Sequence, residues 1–430
     1  MTGLREYERD LALPRLLGDG GIQLPESDQL LEWVMEGLIR DGGPRPISAA
    51  MSHARWKPGV SCVGTWLVRF EDGSDRIVVL KRYAGNGAAQ KGERGAAGIE
   101  RHFTDEHMLP FAVLPEHGVR LWTFPADRSL EGAVRVMDAQ RSARLVDRVG
   151  VTSPWTTKGS LSVCQLLRYK PERRAVVRFS ARLHRPAPKP RMRDFVLRAL
   201  TLSEAAAAVC AREALRDAGD PTFVPALLGH ELSSGILVEQ FVEGVPRGPE
   251  DFSAASPVGA VVAQLHGLPV DGPSALQERA SGPNPLLRAD ATLSRLPEIS
   301  TPALHGPLCW LHGDLHPDQV MQGPEGQTYL MDMDALRVGD PCEDLSSWIA
   351  DQLAAEPDCS YAQASEAFLS GYLESGGRAP DAARLLQYTA HALQRRALAS
   401  LRRLERNGLE LARERMERAW ELVGVGQGKS

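Results

Sequence analysis

The stretch LHGDLHPDQV, residues 311–320, places two histidines, two aspartates and a glutamine among apolar residues. A second polar stretch, YLMDMDALRVGDPCEDLSSW (residues 329–348), follows a short distance downstream. The apolar residues 329–331 predict a short strand that delivers Asp332 and Asp334 to a loop edge. Together the two stretches present carboxylate and amide groups in an order that suggests a catalytic site.

The order of these groups fits phosphoryl transfer from ATP. One carboxylate must accept or orient the proton of the acceptor hydroxyl, and Asp314 is the candidate for this base. Oxygen ligands must hold Mg²⁺ against the phosphates, and the candidates are Gln319, Asp332 and, as a further contact, Asp334. ATP and Mg²⁺ are therefore the expected cofactors.

Two other interpretations of the first stretch remain open. One is a surface cluster of polar groups that satisfy each other. The other is a zinc site formed by His312, His316 and Asp318, which would need a fourth ligand. We expect His312 to organise the loop rather than to exchange protons, and Asp340 and Asp344 to cap the following helix and pin the loop.

The chain resembles the aminoglycoside phosphotransferase and choline kinase-like family, whose members carry H-G-D-x-x-x-x-N and then a strand ending in D. The matching stretches are His312-Gly313-Asp314 with Gln319, Leu330-Met331-Asp332-Met333-Asp334, Gly339-Asp340-Pro341 and Asp344-Leu345. Gln319 stands where the family usually has asparagine. Maltokinase-like members are similar in having glutamine there and in carrying an N-terminal cap.

This resemblance implies an α+β, bilobal protein-kinase-like fold with a small β-rich nucleotide lobe and a large helical lobe. We expect the nucleotide lobe over residues 151–245 and the helical catalytic and acceptor-binding lobe over residues 246–430. Residues 1–150 are interpreted as an extra N-terminal α+β cap domain. Periodicity supports strands and a helix in these regions, namely a hairpin over 62–83, strands at 164–170, 175–184, 194–200, 224–232 and 235–244, and a helix at 203–219.

The nucleotide-binding residues are assigned from this resemblance. The basic loop formed by Lys170, Arg173 and Arg174 is expected to approach the phosphates. Arg198 stands where most relatives use lysine, and Glu213 is its expected orienting partner, in preference to Glu204. At the hinge, backbone groups near Glu239, Gln240 and Phe241 are expected to read adenine.

An internal sequence repeat indicates a duplicated β-subdomain. RWKP (residues 55–58) with Val63 beyond resembles RYKP (residues 168–171) with Val176 beyond, at the same spacing. Each copy continues into a strand with one cation, Lys81 in the first and Arg198 in the second. The alternative is that Lys-Pro is a common turn dipeptide, since a pattern seen twice is weak evidence. We expect the first copy to be a cap or a degenerate duplicate, and Lys81 to lie remote from the phosphates. The alternative is that Lys81, and not Arg198, supplies the cation that contacts phosphate.

Composition narrows the class of protein. The 430 residues carry a net charge of −5 and 43% hydrophobic residues, which is ordinary for a soluble globular chain and argues against a nucleic-acid partner. No apolar run of membrane-spanning length occurs, so no membrane partner is expected. The six cysteines form no CxxC pair, which favours reduced thiols and a cytoplasmic protein.

The acceptor is not defined by these patterns. The resemblance suggests a hydroxyl of a sugar, an amino-sugar or an aminoglycoside, and Asp318, Glu343 and Asp351 could bind a cationic group. A Ser/Thr hydroxyl on a peptide is the alternative acceptor. A non-catalytic pseudokinase scaffold is a third possibility, favoured by Arg198 and Gln319.

Overall fold

The computed structural model describes residues 9–17, 22–85, 99, 102–184, 191–248, 250–270, 299–300 and 308–427. The helices are α1 (Leu13–Leu16), α2 (Ser27–Leu38), α3 (Ala133–Val136), α4 (Ala139–Arg148), α5 (Leu202–Gly219), α6 (Ala255–His266), α7 (Cys342–Ala355), α8 (Tyr361–Glu374), α9 (Ala382–Arg402) and α10 (Gly408–Gln427). The strands are β1 (Pro46–Lys57), β2 (Ser61–Phe70), β3 (Asp75–Tyr83), β4 (Phe111–Leu114), β5 (Val119–Thr123), β6 (Thr156–Thr157), β7 (Val163–Lys170), β8 (Arg174–His184), β9 (Arg191–Leu200), β10 (Leu227–Glu231), β11 (Ile236–Gln240), β12 (Val245–Pro246), β13 (Cys309–Leu311), β14 (Val320–Gln322), β15 (Thr328–Leu330) and β16 (Arg337–Gly339).

The chain divides into two compact units. The first comprises Met1–Ala206, Leu227–Phe241 and Ser400–Leu409, and so holds strands β1 to β11. The second comprises Ala207–Ala226, Val242–Ala399 and Glu410–Ser430. The boundary between a cap domain and a nucleotide lobe near residue 150 remains a prediction.

The first unit contains an antiparallel five-stranded sheet in the order β1-β2-β3-β5-β4. The predicted hairpin of β2 and β3 is confirmed. Strand β1 was missed, because its sequence PISAAMSHARWK alternates too weakly to predict a strand. An N-terminal β-rich region therefore exists, with more strands than the sequence predicted.

A second sheet of the first unit has the order β10-β11-β9-β8-β6, with β7 also paired to β8. Buried and partly exposed residues alternate along β8 from Arg174 to His184, which is the period of a strand with one face on a core. The strands predicted from residue 164 to residue 244 are confirmed, and so is α5. This sheet packs on a core that includes Phe179, Phe195 and Leu197.

The second unit is mainly helical, as predicted for the chain beyond residue 250. Trp348 of α7 is at the centre of its core, stacked on Phe368 of α8 and edge-on to Phe252. Two small sheets, β12-β14-β15 and β13-β16, emerge from this core and carry the polar loops of residues 311–345. In the described part of the chain, no helix has the length and apolar character needed to cross a bilayer.

Helices α6 and α8 approach closely because glycines lie at their crossing. A Cβ atom on Gly259 would come within 2.1 Å of the carbonyl oxygen of Phe368, and one on Gly371 within 2.1 Å of the carbonyl oxygen of Ser256. Real Cβ atoms do not approach a carbonyl oxygen so closely, so only glycine fits at either position. The crossing also brings together His266, at the end of α6, and Tyr372 of α8.

We predict that Gly259→Ala lowers the free energy of unfolding by about 1–3 kcal/mol, because overpacking forces the two helices apart. Gly424 provides a matched control, since it also lies within a helix and a Cβ there meets open space. Gly424→Ala should be neutral or stabilising through helix propensity. Urea unfolding of both variants measures the difference, and equal stabilities would contradict close packing at the crossing.

Candidate active site

The loop that follows β13 is organised by His312. Its side chain is fully buried. Ring atom Nε2 lies 2.8 Å from the carbonyl oxygen of Met331, and Nδ1 accepts the Asp314 N–H at 3.3 Å. Nε2 therefore carries the proton and Nδ1 the lone pair. Because both ring nitrogens are engaged within the loop, His312 is a loop-organising residue as expected, and among the described residues no group of metal ligands surrounds it.

Gly313 must be glycine for two independent reasons. Its φ of +78° lies in the left-handed region. A Cβ would also meet an Nη atom of Arg337 at 2.2 Å and the carbonyl oxygen of Ala335 at 2.3 Å. The glycine of the H-G-D motif thus permits the turn that brings Asp314 out of the buried loop.

Asp344 anchors the loop from helix α7. Its carboxylate accepts the N–H of His312 at 2.7 Å and the N–H of Gly313 at 2.9 Å. His266 Nε2 lies 3.4 Å from the same carboxylate, and His266 Nδ1 lies 3.1 Å from the hydroxyl of Tyr372. The expectation that Asp344 pins the loop is confirmed. Sequence reasoning did not identify His266 as its partner.

The charge of Asp344 is maintained although the residue is only 1% exposed. Burial by itself would raise its pKa, but the hydrogen bond with His266, the electrostatic attraction of the His266 and His312 rings and the Gly313 N–H together lower the pKa below its ordinary value. The carboxylate is consequently ionised at neutral pH and accepts all of these donors.

Asp314 lies at the edge of this loop with about half of its side chain exposed. Burial would raise its pKa, but the electrostatic attraction of His316, His312, Arg395 and Arg396 lowers the pKa below its ordinary value. His316 Nε2 is 3.9 Å from a carboxylate oxygen of Asp314. The predicted base is therefore charged and accessible.

Gln319 and Asp332 form the second part of the site. The Gln319 amide donates to a carboxylate oxygen of Asp332 at 3.0 Å. Gln319 is buried in the short helix Pro317–Gln319, and its carbonyl accepts the N–H of Met331 at 2.7 Å. The pair joins an amide and a carboxylate, both of which provide oxygen ligands of the kind Mg²⁺ prefers.

Asp332 has a left-handed backbone, with φ of +60°. Such a conformation is uncommon for a residue with a side chain, although aspartate tolerates it better than most, and it occurs often at functional sites. The N–H of Asp334 closes the turn on the carbonyl of Asp332 at 2.8 Å. The strand end β15 thus leads directly into a strained turn that presents both aspartates.

Asp340 has a structural role, as expected. One of its carboxylate oxygens accepts the N–H of Cys342 at 2.9 Å at the start of α7, and the other is bonded by Arg384 of α9. The Tyr388 hydroxyl donates to this second oxygen at 3.4 Å. Asp340 therefore joins α7 to α9 and does not face the catalytic loop.

The predicted nucleotide residues of the first unit are placed as follows. Lys170, Arg173 and Arg174 surround the β7–β8 turn. Arg198 of β9 is nearly fully buried and lies 3.5 Å from Glu239 of β11. Sequence reasoning assigned Glu239 only as a hinge residue and missed it as an ion-pair partner, because cross-strand register is not visible in local sequence.

The remaining predicted residues have different surroundings. Phe241 lies under the guanidinium of Arg178 at 4.5 Å, next to Gln240 at the end of β11. In the second unit, Glu213 is exposed on α5. Glu204 bonds to Thr201 at the helix start, which agrees with its exclusion as a functional residue.

Lys81 contacts the turn that was expected to approach the phosphates. Its ammonium lies 2.7 and 2.8 Å from the two carboxylate oxygens of Glu172, at the centre of the β7–β8 turn. Arg55 approaches the same carboxylate at 3.6 Å. Lys81 therefore lies beside this turn, and its expected distance from bound phosphate remains a prediction.

Comparison with known proteins places the chain in a class. The profile of the phosphotransferase enzyme family matches residues 165–388, so the chain belongs to that family. It is an ATP-using kinase of small molecules that transfers phosphate to an alcohol group, on a protein-kinase-like fold. No curated protein matches the chain at a significant level.

Solved structures with a similar fold have low sequence identity. Choline kinase LicA from Streptococcus pneumoniae is 15% identical, with a TM-score of 0.41 over 66% of this chain and 99% of that chain. Macrolide 2'-phosphotransferase MphH from Brachybacterium faecium is 22% identical, with a TM-score of 0.40 over 67% of this chain and 98% of that chain. Spectinomycin phosphotransferase APH(9)-Ia, in complex with ADP and spectinomycin, is 13% identical, with a TM-score of 0.38 over 67% of this chain and 98% of that chain.

We predict that Asp344→Asn lowers the free energy of unfolding by about 1–3 kcal/mol, because one buried N–H of the loop loses its acceptor. The pKa of Asp344 is lowered in the folded state, so its contribution is present above the unfolded pKa of about 3.9 and is lost as pH falls below it. The stability difference from wild type should stay constant from neutral pH to about pH 5 and shrink below about pH 4.

Urea unfolding at several pH values measures this difference. Asp358→Asn removes an exposed carboxylate just beyond α7 and serves as the control, with little change expected. A difference that grows as pH falls would contradict the assignment of the charged carboxylate as the anchor.

Proposed function

We propose that the protein transfers the γ-phosphate of ATP, with Mg²⁺, to a hydroxyl of a small molecule, using Asp314 as the base. The observation that carries this proposal is the pairing of Gln319 with Asp332 at 3.0 Å, in a loop system that also presents Asp314. Asp332 and the amide oxygen of Gln319 would hold the metal, with Asp334 as a further ligand. The bound metal would supply positive charge against the phosphates.

The low pKa of Asp314 suits this chemistry. In phosphoryl transfer the transition state is loose, so the acceptor hydroxyl does not need to lose its proton early. The main task of the base is to position that hydroxyl. A charged carboxylate can accept a hydrogen bond from the hydroxyl and take its proton as the new bond to phosphorus forms. His312 donates no proton in this scheme and only holds the loop.

For the nucleotide, we propose that the turn formed by Lys170, Arg173 and Arg174 and the buried Arg198 contact phosphate. The hinge over residues 239–241 would read adenine through its backbone. The supporting observation is that the β7–β8 turn carries Lys170, Arg173 and Arg174, and that Arg198 lies on β9, which pairs with β8.

For the acceptor, we propose a neutral sugar or an amino-sugar rather than a polycationic aminoglycoside. Two of the three carboxylates considered for a cationic acceptor are engaged with arginine: Glu343 with Arg337, and Asp351 with Arg396. Arg395 and Arg396 also act on Asp314 electrostatically. A carboxylate already neutralised by arginine attracts a cationic substrate weakly.

The first test of these roles compares two substitutions. Asp314→Ala should lower turnover by about 10²–10⁴-fold and leave nucleotide binding nearly unchanged, since a general base does not hold nucleotide. Asp332→Asn should weaken Mg²⁺-dependent ATP binding and turnover together, because a charged metal ligand is lost. Gln319→Asn keeps the amide oxygen and is the matched control, with a mild effect.

Calorimetric titration of ATP with and without Mg²⁺, together with steady-state rates, separates these outcomes. An Asp314→Ala protein with wild-type turnover would remove Asp314 from the base role. Equal ATP affinity of the wild type with and without Mg²⁺ would exclude a role for Mg²⁺ in nucleotide binding.

An acceptor screen tests the proposed substrate class. We expect ATP consumption with hexoses or hexosamines, with a product heavier by one phosphate in the mass spectrum, and lower kcat/KM with aminoglycosides. A hexose and the hexosamine that differs by one ammonium group form the matched pair for the charge argument. Turnover highest on aminoglycosides would contradict that argument, and turnover on peptides alone would support a peptide kinase. No turnover on any hydroxyl would favour a scaffold.

A further inference from the structure

The two sheets of the first unit share one topology. The order β1-β2-β3-β5-β4 in the first sheet corresponds strand for strand to β7-β8-β9-β11-β10 in the second. In each sheet a 3-10 turn joins the fourth strand to the fifth, Pro115–His117 in one and Leu232–Ser234 in the other. Each turn ends on a glycine with φ of +65°, Gly118 and Gly235 respectively.

Strand register makes the third-strand cations equivalent. In the first sheet Lys81 pairs with Val63 on one side and Arg120 on the other. In the second sheet Arg198 pairs with Val176 and Leu237 in the same way. This register agrees with the internal repeat in the sequence, in which Val63 and Val176 occupy corresponding positions.

The turns between the first two strands also correspond. KPGV (residues 57–60) and KPER (residues 170–173) are each closed by an N–H of the fourth residue on the carbonyl of the first, at 3.0 and 3.1 Å. The third residue is left-handed in both, with φ of +66° at Gly59 and +61° at Glu172. The second sheet thus places glutamate at a position where the first uses glycine, although a side chain is disfavoured there.

Glu172 is held in this conformation by groups outside its own turn. Its N–H donates to the buried carboxylate of Asp127 at 2.7 Å, and Asp127 also accepts the Tyr169 hydroxyl at 2.8 Å. Its carboxylate receives both bonds from Lys81 and the approach of Arg55. Lys81, which is equivalent to Arg198, is therefore paired with Glu172, a carboxylate of the other sheet.

We propose that strands β1 to β5 form a second copy of the nucleotide-lobe sheet that binds no nucleotide, and that this copy positions the phosphate turn of residues 170–174. The Glu172 carboxylate binds Lys81 at the position where, in the active copy, a phosphate would bind Arg198. Lys81 is thereby a positioning residue, which acts on ATP through Glu172. This inference rests on the proposed role of the turn in ATP binding.

Three variants of the full chain test the proposal. Glu172→Gly installs the residue found at the equivalent position of the first copy, so it removes the carboxylate and relieves the left-handed backbone. Lys81→Met removes the cation from the other side. We expect each single variant to raise KM for ATP about tenfold, because the loss of one charge-assisted hydrogen bond changes an equilibrium by about that factor. The kcat should be nearly unchanged. The double variant should show no further loss, because the two residues act as one pair.

Arg82→Met is the matched control, since Arg82 follows Lys81 on β3 with its side chain on the opposite face. It should leave KM for ATP unchanged. Thermal unfolding of all variants identifies any that fail to fold, and Glu172→Gly should melt close to wild type. An unchanged KM in folded Glu172→Gly and Lys81→Met, or additive effects in the double variant, would overturn the positioning role.

Hydrogen exchange separates this inference from the proposed function. Lys81→Met should speed exchange at the amides of residues 172 and 173, a readout that needs neither nucleotide nor activity. If the wild type binds no ATP, the proposed function fails, and exchange alone then decides whether Lys81 orders the turn. Unchanged exchange in Lys81→Met would overturn the inference in either case.

Discussion

One buried carboxylate fixes the geometry on which the catalytic half of the protein depends. Asp344 binds the N–H groups of two consecutive residues, His312 and Gly313. Two neighbouring N–H groups point towards one acceptor only when the backbone turns sharply, and the left-handed φ of Gly313 provides that turn. Because Asp344 belongs to helix α7, which packs in the core, the loop takes its position from the core of the unit.

The second constraint is the fixed distance between Gln319 and Asp332. The backbone of Gln319 is held at both ends, by its N–H on His316 and by its carbonyl on Met331. Glutamine is one methylene longer than the asparagine usual in the family, yet its amide still reaches Asp332. The departure therefore changes the reach of the side chain and preserves the amide–carboxylate pair. For this reason the glutamine at position 319 gives only weak support to the hypothesis that the protein is a non-catalytic scaffold without a metal site.

Local patterns predicted the parts of the molecule that depend on local periodicity. The alternation along β8, the β2–β3 hairpin and helix α5 were all visible, because burial on one face imposes a period on the sequence. The pinning role of Asp344 could be expected from its position at a helix start. Strand β1 was not predicted, because its small and polar residues do not alternate clearly.

The ion pairs of the first unit could not be predicted in the same way. Arg198 with Glu239 and Lys81 with Glu172 join residues far apart in sequence. Their contact depends on strand register and on the packing of one sheet near another, and neither leaves a local signal. A single sequence provides candidates for a charged site, but it does not say which opposite charges meet.

The difference between the two third-strand cations follows from what each must bind. In both sheets the cation already contacts a protein carboxylate, Glu172 for Lys81 and Glu239 for Arg198. A lysine ammonium is a compact charge, and Lys81 directs it at both oxygens of one carboxylate. An arginine fork presents five N–H donors in one plane, and an Nη atom of Arg198 lies 3.5 Å from Glu239. The compact ammonium in the first sheet therefore suits the closed pair with Glu172, whereas the planar guanidinium in the second sheet meets its carboxylate at a longer distance.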